Sequence, residues 1–154
     1  KLSRTPAHLG LAPRTMRKMG EIVKIKSNIA LLRSGTDQQK EDAAFELSML
    51  ALNPHNQELI ATAGGIRLVA LVRSGTDGQK EKAASALSNL ALNTHNQERI
   101  ATAEGIEPLV ALVRSGTDLQ KERAASALSN LALNTQNQEL IATAGGLEPL
   151  VALV

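Results

Sequence analysis

A chain of 154 residues is long enough for one ordinary domain, and 43% hydrophobic residues can build a packed core, yet only 1% are aromatic, a single Phe. With no Cys, Trp or Tyr, a disulfide framework and thiolate zinc sites are excluded, and a core of Ala, Leu, Ile and Val favours packed helices over a sheet. The net charge of +2 conceals a division: residues 1–26 carry seven basic side chains against Glu21, while the rest hold ten basic and fourteen acidic ones, so nucleic-acid binding by the body is not favoured.

In chain order, the head "KLSRTPAHLGLAPRTMRKMG" comes first, Arg-bearing and without acids. Transit segments share that composition, but Pro6 and Pro13 interrupt an amphipathic helix, and the head reads as a basic N-terminal extension or a degenerate cap over residues 1–26. The next segment, "IVKIKSNIALL", aligns with the later "GIEPLVALV" and predicts one helix of a partial unit. After it the chain says "RSGTD" three times, from Arg33, Arg73 and Arg114, at intervals of 40 and 41 residues. Self-similarity at that period is the signature of a solenoid.

Each unit divides into three helical pieces. Thr36, Thr76 and Thr117 stand three residues before Gln39, Gln79 and Gln120, a capping-box spacing that opens the longest helix, predicted to run to about Leu52, Leu92 and Leu133. Thr94 with Gln97 and Thr135 with Gln138 offer the same box for a short second helix, and Pro54 suits the equivalent first turn. Gly64-Gly65, Gly105 and Gly145-Gly146 are expected to end that helix through a left-handed cap. A third helix through "EPLVALV", with Pro108 and Pro149 near its start, runs to the next "RSG".

The pattern "NQELIATAGG…PLVALVRSGTD…QKE.AASALSNLALN" over residues 27–154 resembles the armadillo repeat. That resemblance implies an all-α fold, a right-handed α-α superhelix with three helices per repeat and partial first and last repeats. It makes "RSGTD" the hinge between the second and third helices. At 100° per residue, Ala83, Ala84, Leu87, Leu90 and Ala91 form the buried stripe of the long helix. Opposite lie Gly78, Lys82, Ser85, Asn89 and Asn93. The corresponding rows are Gln38, Asp42, Phe45, Met49, Asn53 and Leu119, Arg123, Ser126, Asn130, Asn134.

In the armadillo fold this face lines a concave groove, so the resemblance names Asp42, Phe45, Met49, Lys82, Ser85, Asn89, Arg123, Ser126 and Asn130 as candidate binding residues for a protein or extended peptide. Peptide-holding grooves of the family use a mid-helix Asn with a Trp four residues earlier. The Asn is matched at Asn89 and Asn130 and replaced by Met49, whereas the Trp positions hold Phe45, Ser85 and Ser126, so modest affinity is expected. Between Glu41–Leu50 and Glu81–Leu90 four positions differ, and three of them, Asp42/Lys82, Phe45/Ser85 and Met49/Asn89, point into this groove. Lys82 and Arg123 are placed to select an acidic residue beside an apolar one held by Phe45 and Met49; the plainer reading is a solvated row with a weak Asp42–Lys82 pair. Asn53, Asn93 and Asn134 read as helix caps.

No catalytic constellation is found. His55 and His95 occupy equivalent turns, about one helix-packing distance of 10 Å apart, too far to share a metal, and no cofactor is implied. No apolar run approaches the roughly 18 residues of a membrane span. The reading is a non-catalytic interaction scaffold in the cytoplasm or nucleus; alternatives are the substrate-recognition array of a ubiquitin ligase or a self-assembling solenoid. Because "GGLEPLVALV" stops within a helix, Leu150, Val151, Leu153 and Val154 are expected to leave an apolar end face, as in a fragment of a longer array or in a homo-oligomer stacked through that face.

Overall fold

Local capping chemistry sets the helix starts. In the computed structural model, which describes residues 10–154, Thr36, Thr76 and Thr117 each accept a bond from the backbone N–H of Gln39, Gln79 and Gln120 at 3.2, 3.2 and 3.3 Å. The glutamine Oε1 atoms accept in return from the threonine N–H groups at 2.9, 3.1 and 3.0 Å. All three boxes are therefore closed, and Asp37, Asp77 and Asp118 place a carboxylate in each first turn, where the macrodipole favours it.

The helices are α1 (Pro13–Ser34), α2 (Asp37–Leu50), α3 (Pro54–Ala63), α4 (Leu68–Ser74, preceded by a 3-10 turn at Gly65–Arg67), α5 (Asp77–Leu90), α6 (Thr94–Thr102), α7 (Ile106–Ser115), α8 (Asp118–Leu131), α9 (Thr135–Thr143) and α10 (Leu147–Val151). No strand occurs among the described residues. None of their helices is long and apolar enough to cross a membrane. His8, Pro6 and the first part of the basic head lie outside the described residues.

Two boundaries differ from expectation. The long helices end at Leu50, Leu90 and Leu131, two residues early, because the chain tightens into i→i+3 bonds: Leu52 N–H to Met49 O and Asn53 N–H to Leu50 O, both 3.2 Å. Leu52, Leu92 and Leu133 are consequently exposed. The short helices α6 and α9 are capped by Asn93 and Asn134, whose side chains accept from Asn96 and Asn137 N–H at 3.1 Å; Thr94 and Thr135 are already helical. Gln97 and Gln138 cannot complete the expected boxes, since their amides turn back to Ala91 O and Ala132 O. Asn53 likewise caps α3 ahead of Pro54.

The left-handed residue after each short helix is Gly64 (φ 117°) in the first unit and Gly145 (φ 76°) in the third, but Glu104 (φ 60°) in the second. Gly105, the expected cap, has φ −78°. An L-residue there carries a penalty of about 1–2 kcal/mol, partly offset by the entropy that glycine loses. Glu104→Gly should therefore stabilise the chain by up to about 1 kcal/mol, raising the thermal midpoint by about 2–4 °C. An unchanged or lower midpoint would count against strain at this turn.

"RSGTD" has a separate role for each letter, the serine hydroxyls of Ser34, Ser74 and Ser115 donating to the carbonyls of Ala30, Ala70 and Ala111 one turn back at 3.3, 3.2 and 3.0 Å. Arg73 and Arg114 donate to the carbonyls of Glu104 and Gly145, both at 3.1 Å, bracing the left-handed turn later in the same unit. Gly75 admits the close return of the chain, since a Cβ there would lie 2.5 Å from Leu71 O. The threonine caps its helix. Asp37 and Asp77 each accept, through backbone O and Oδ1, from Nε2 of Gln79 and Gln120 one unit later, at 2.9–3.1 Å. The motif is thus both the turn from one unit into the long helix of the next and a staple between units.

The core is one continuous stack. α5 packs between α2 and α8, while α4 and α7 cover α5 and α8 from the side. The predicted stripe Ala83, Ala84, Leu87, Leu90 and Ala91 is fully buried, Ala86 equally so, and Ser88 is buried too, because α5 has a neighbour on both flanks. Small side chains there permit the close approach. α1 seals the first unit through Ile25, Ile29 and Leu32 and runs unbroken across residues 26 and 27. At the other end Leu150 packs partly against the core, while Val151, Leu153 and Val154 are exposed.

Candidate functional site

The nine sequence-predicted residues all lie along the face that α2, α5 and α8 present side by side. Their chemistry is set by how each long helix ends. A helix leaves its last carbonyls unpaired, and here side chains fill them. Asn56 donates to Leu50 O at 3.1 Å and Gln57 to Ala51 O at 3.0 Å within the unit. Ser48 O, which no backbone N–H reaches, accepts at 3.0 Å from Nδ2 of Asn89 on the next long helix. Ser88 O receives Asn130 in the same way at 2.9 Å.

The candidate asparagines are therefore helix caps across the unit boundary, each Nδ2 also reaching the hydroxyl of the same serine at 3.4 and 3.3 Å. Their Oδ1 atoms retain acceptor capacity for a ligand. Ser85 and Ser126, standing where the resemblance would place Trp, are tied to Ser48 and Ser88 by hydroxyl pairs at 3.0 and 2.7 Å. At α5 and α8 the face is floored by these small polar pairs rather than by rings, while α2 presents Phe45.

Around that floor the charged and apolar residues stay accessible. Phe45 and Met49 are 45% and 51% exposed, and the Lys82 ammonium sits 5.5 Å from the Phe45 ring centroid, within cation–π range. The Lys82 Nζ also lies 3.0 Å from Glu81 Oε1, and Arg123 lies 3.8 Å from Glu122. The Asp42–Lys82 pair considered from the sequence is not formed: Asp42 Oδ1 instead accepts from Gln38 Nε2 at 2.9 Å, one turn away on the same helix. Exposed pairs of this kind contribute at most about 1 kcal/mol, so these cations remain available to a ligand.

His55 and His95 are exposed second residues of α3 and α6, and His95 Nδ1 stands 3.6 Å from Glu58 Oε1. Among the described residues no group of three or more His, Cys, Asp or Glu could hold a metal ion. Sequence reading missed the buried amide ladder. Asn96 donates to Leu90 O and Gln57 O at 3.1 and 2.9 Å, and Asn137 donates to Leu131 O and Gln97 O, both at 3.1 Å. Its available signal was the recurrence of "NQ" at the same place in each unit, polar residues inside an otherwise apolar helix face.

Units of two short helices and one long helix, stacked so that the long helices form one face, define an α-solenoid of the kind built for extended contact surfaces. Residues 21–104 match the armadillo-like family model, and the chain belongs to that family, with its right-handed α-α superhelix. Among solved structures, one engineered protein is 32% identical, with a TM-score of 0.79 over 84% of this chain and 54% of that one. Another engineered protein is 28% identical, with a TM-score of 0.77 over 84% and 55%. A computationally designed armadillo repeat protein for modular peptide recognition is 27% identical, with a TM-score of 0.75 over 84% and 56%. The chain spans about half the length of these proteins. No curated protein matches it.

Proposed function

We propose that the chain is a non-catalytic scaffold that holds an extended protein segment across α2, α5 and α8, with Phe45 and Met49 receiving an apolar side chain and Lys82 and Arg123 an adjacent acidic one. The likeness to a designed armadillo protein for peptide recognition supports the class of partner. The observation that carries the finer reading is the Lys82 ammonium over the exposed Phe45 ring, which joins an apolar surface and a cation in one place. Oδ1 of Asn89 and Asn130 supplies acceptors for the backbone N–H groups of the bound segment. With serine in place of an aromatic floor, contact area is small and affinity modest.

Substituting Asn89 or Asn130 is a poor test, because each also caps the preceding long helix, and losing that bond destabilises the fold by about 1 kcal/mol. The better variants are Phe45→Ala and the double charge reversal Lys82→Glu/Arg123→Glu, all at exposed or half-buried positions. In a selection from a random peptide display library, the parent is expected to enrich peptides with an acidic residue next to an apolar one. Charge reversal should replace the acidic preference with a basic one, and Phe45→Ala should weaken the selected peptides about tenfold, the about 1.4 kcal/mol that a partly exposed ring contributes. Enrichment of one and the same motif by all three proteins, or of none by the parent, would sink the proposal.

A further inference from the structure

The first unit differs from the others at one buried amide. In the second and third units, Asn96 and Asn137 each give both Nδ2 hydrogens to carbonyls, one in their own unit and one, Gln57 O or Gln97 O, on the short helix of the unit before. The equivalent Asn56 is 4% exposed and donates only to Leu50 O, at 3.1 Å. Where a preceding short helix would offer its carbonyl, α1 runs straight on, for the sequence Arg14–Ser27 has no glycine pair to break it. A cleft remains between the first half of α1 and the start of α3. The second hydrogen of Asn56 has no acceptor there among the described residues.

The lining of that cleft states what acceptor it suits. Arg14, Arg17 and Lys18 enter it from α1, with Glu21 beside them and His55 from α3. Spacings of three and four residues set the three cations on one helix face, and none lies within 4 Å of a carboxylate among the ion pairs of the described residues. Like charges at that spacing repel, and cations at a helix start oppose its macrodipole; α1 has no acidic residue in its first turn, whereas α2, α5 and α8 each have an aspartate. Residues 1–9 contain no Asp or Glu, so these nine residues bring no carboxylate side chain to the cleft.

We infer that this cleft binds a phosphate-monoester dianion. Three cations against one carboxylate leave two positive charges, which match the roughly −1.5 to −2 of a phosphate ester at neutral pH. Its oxygens can accept the idle Asn56 hydrogen and the planar fork of an arginine at the same time. A single carboxylate would neutralise only half the excess. The site lies on α1 and α3, away from the face proposed for peptide binding, and stands independently of it.

The test is an NMR titration of the Asn56 side-chain amide with inorganic phosphate at constant ionic strength, with sodium chloride as reference and Arg14→Ala/Arg17→Ala as the variant. Both arginines are exposed, so the variant keeps its fold, which unchanged resonances elsewhere verify. Saturable shifts of the Asn56 amide and His55, weakened at least tenfold in the variant, are the expected result. A second arm compares a phosphoserine peptide with its unphosphorylated form. Tighter binding of the phosphopeptide than of inorganic phosphate assigns the anion to a modified protein segment, and equal binding assigns it to a free phosphate or small ester. Shifts that track ionic strength without saturating, or that persist unchanged in the variant, overturn the inference.

Discussion

Asn96→Ala is expected to lower the free energy of unfolding by about 2–4 kcal/mol, from two donated hydrogen bonds at about 1 kcal/mol each, a longer one accepted from Arg99 at 3.4 Å and the cavity left by a buried side chain. Asn96 is fully buried at the centre of the amide ladder, joining the end of α5 to the carbonyl of Gln57 in the unit before. Asn56 lies at the same place in its unit but donates one bond instead of two. Asn56→Ala should accordingly cost about 1 kcal/mol less. Urea denaturation of both variants measures the difference. Equal losses would mean that the bond to Gln57 O contributes nothing to the coupling of units.

Leu87→Ala is expected to have a still larger effect, about 3–5 kcal/mol. Leu87 is 0% exposed on α5, the helix that packs against long helices on both sides, so surrounding atoms cannot collapse into the space without moving two neighbours. Against the roughly 5–15 kcal/mol that stabilises a typical domain, that loss is severe. It also falls at the middle of a stack in which each unit contacts only its neighbours. The urea transition monitored by circular dichroism should move to lower denaturant and broaden, as the end units lose their common partner. Leu92→Ala, at a position 53% exposed, should cost within about 0.5 kcal/mol of nothing. If the two variants unfolded alike, the packing account of α5 would be wrong.

These two leucines also mark where sequence reading was accurate and where it stopped. The helical period placed Leu87 in the core correctly, because burial on one face follows from the angle per residue. The same period carried the helix on to Leu92. Asn93, which must leave the helical conformation to cap α6, ends it earlier, and that competition between two adjoining helices does not show in periodicity. In the second unit the glycine expected to take the left-handed turn is displaced by Glu104, since position relative to the last helical turn decides which residue adopts positive φ. On the candidate face, the sequence identified the rows and their variation, while the tie of Asn89 to Ser48 and of Ser126 to Ser88 was invisible in it. Both unit-to-unit contacts span 38–41 residues.

By itself the sequence determined the repeat, its all-helical character, the three capping boxes and the buried stripe of the long helix, because each rests on interactions within a few residues along one chain segment. Only the tertiary structure decided where the polar side chains go: which amides close the ends of neighbouring helices, which arginines brace the next turn, and which cations gather around Asn56. Those partners lie one whole unit or a separate helix away, and a side chain with several possible acceptors commits only when stacking brings one of them within bonding distance.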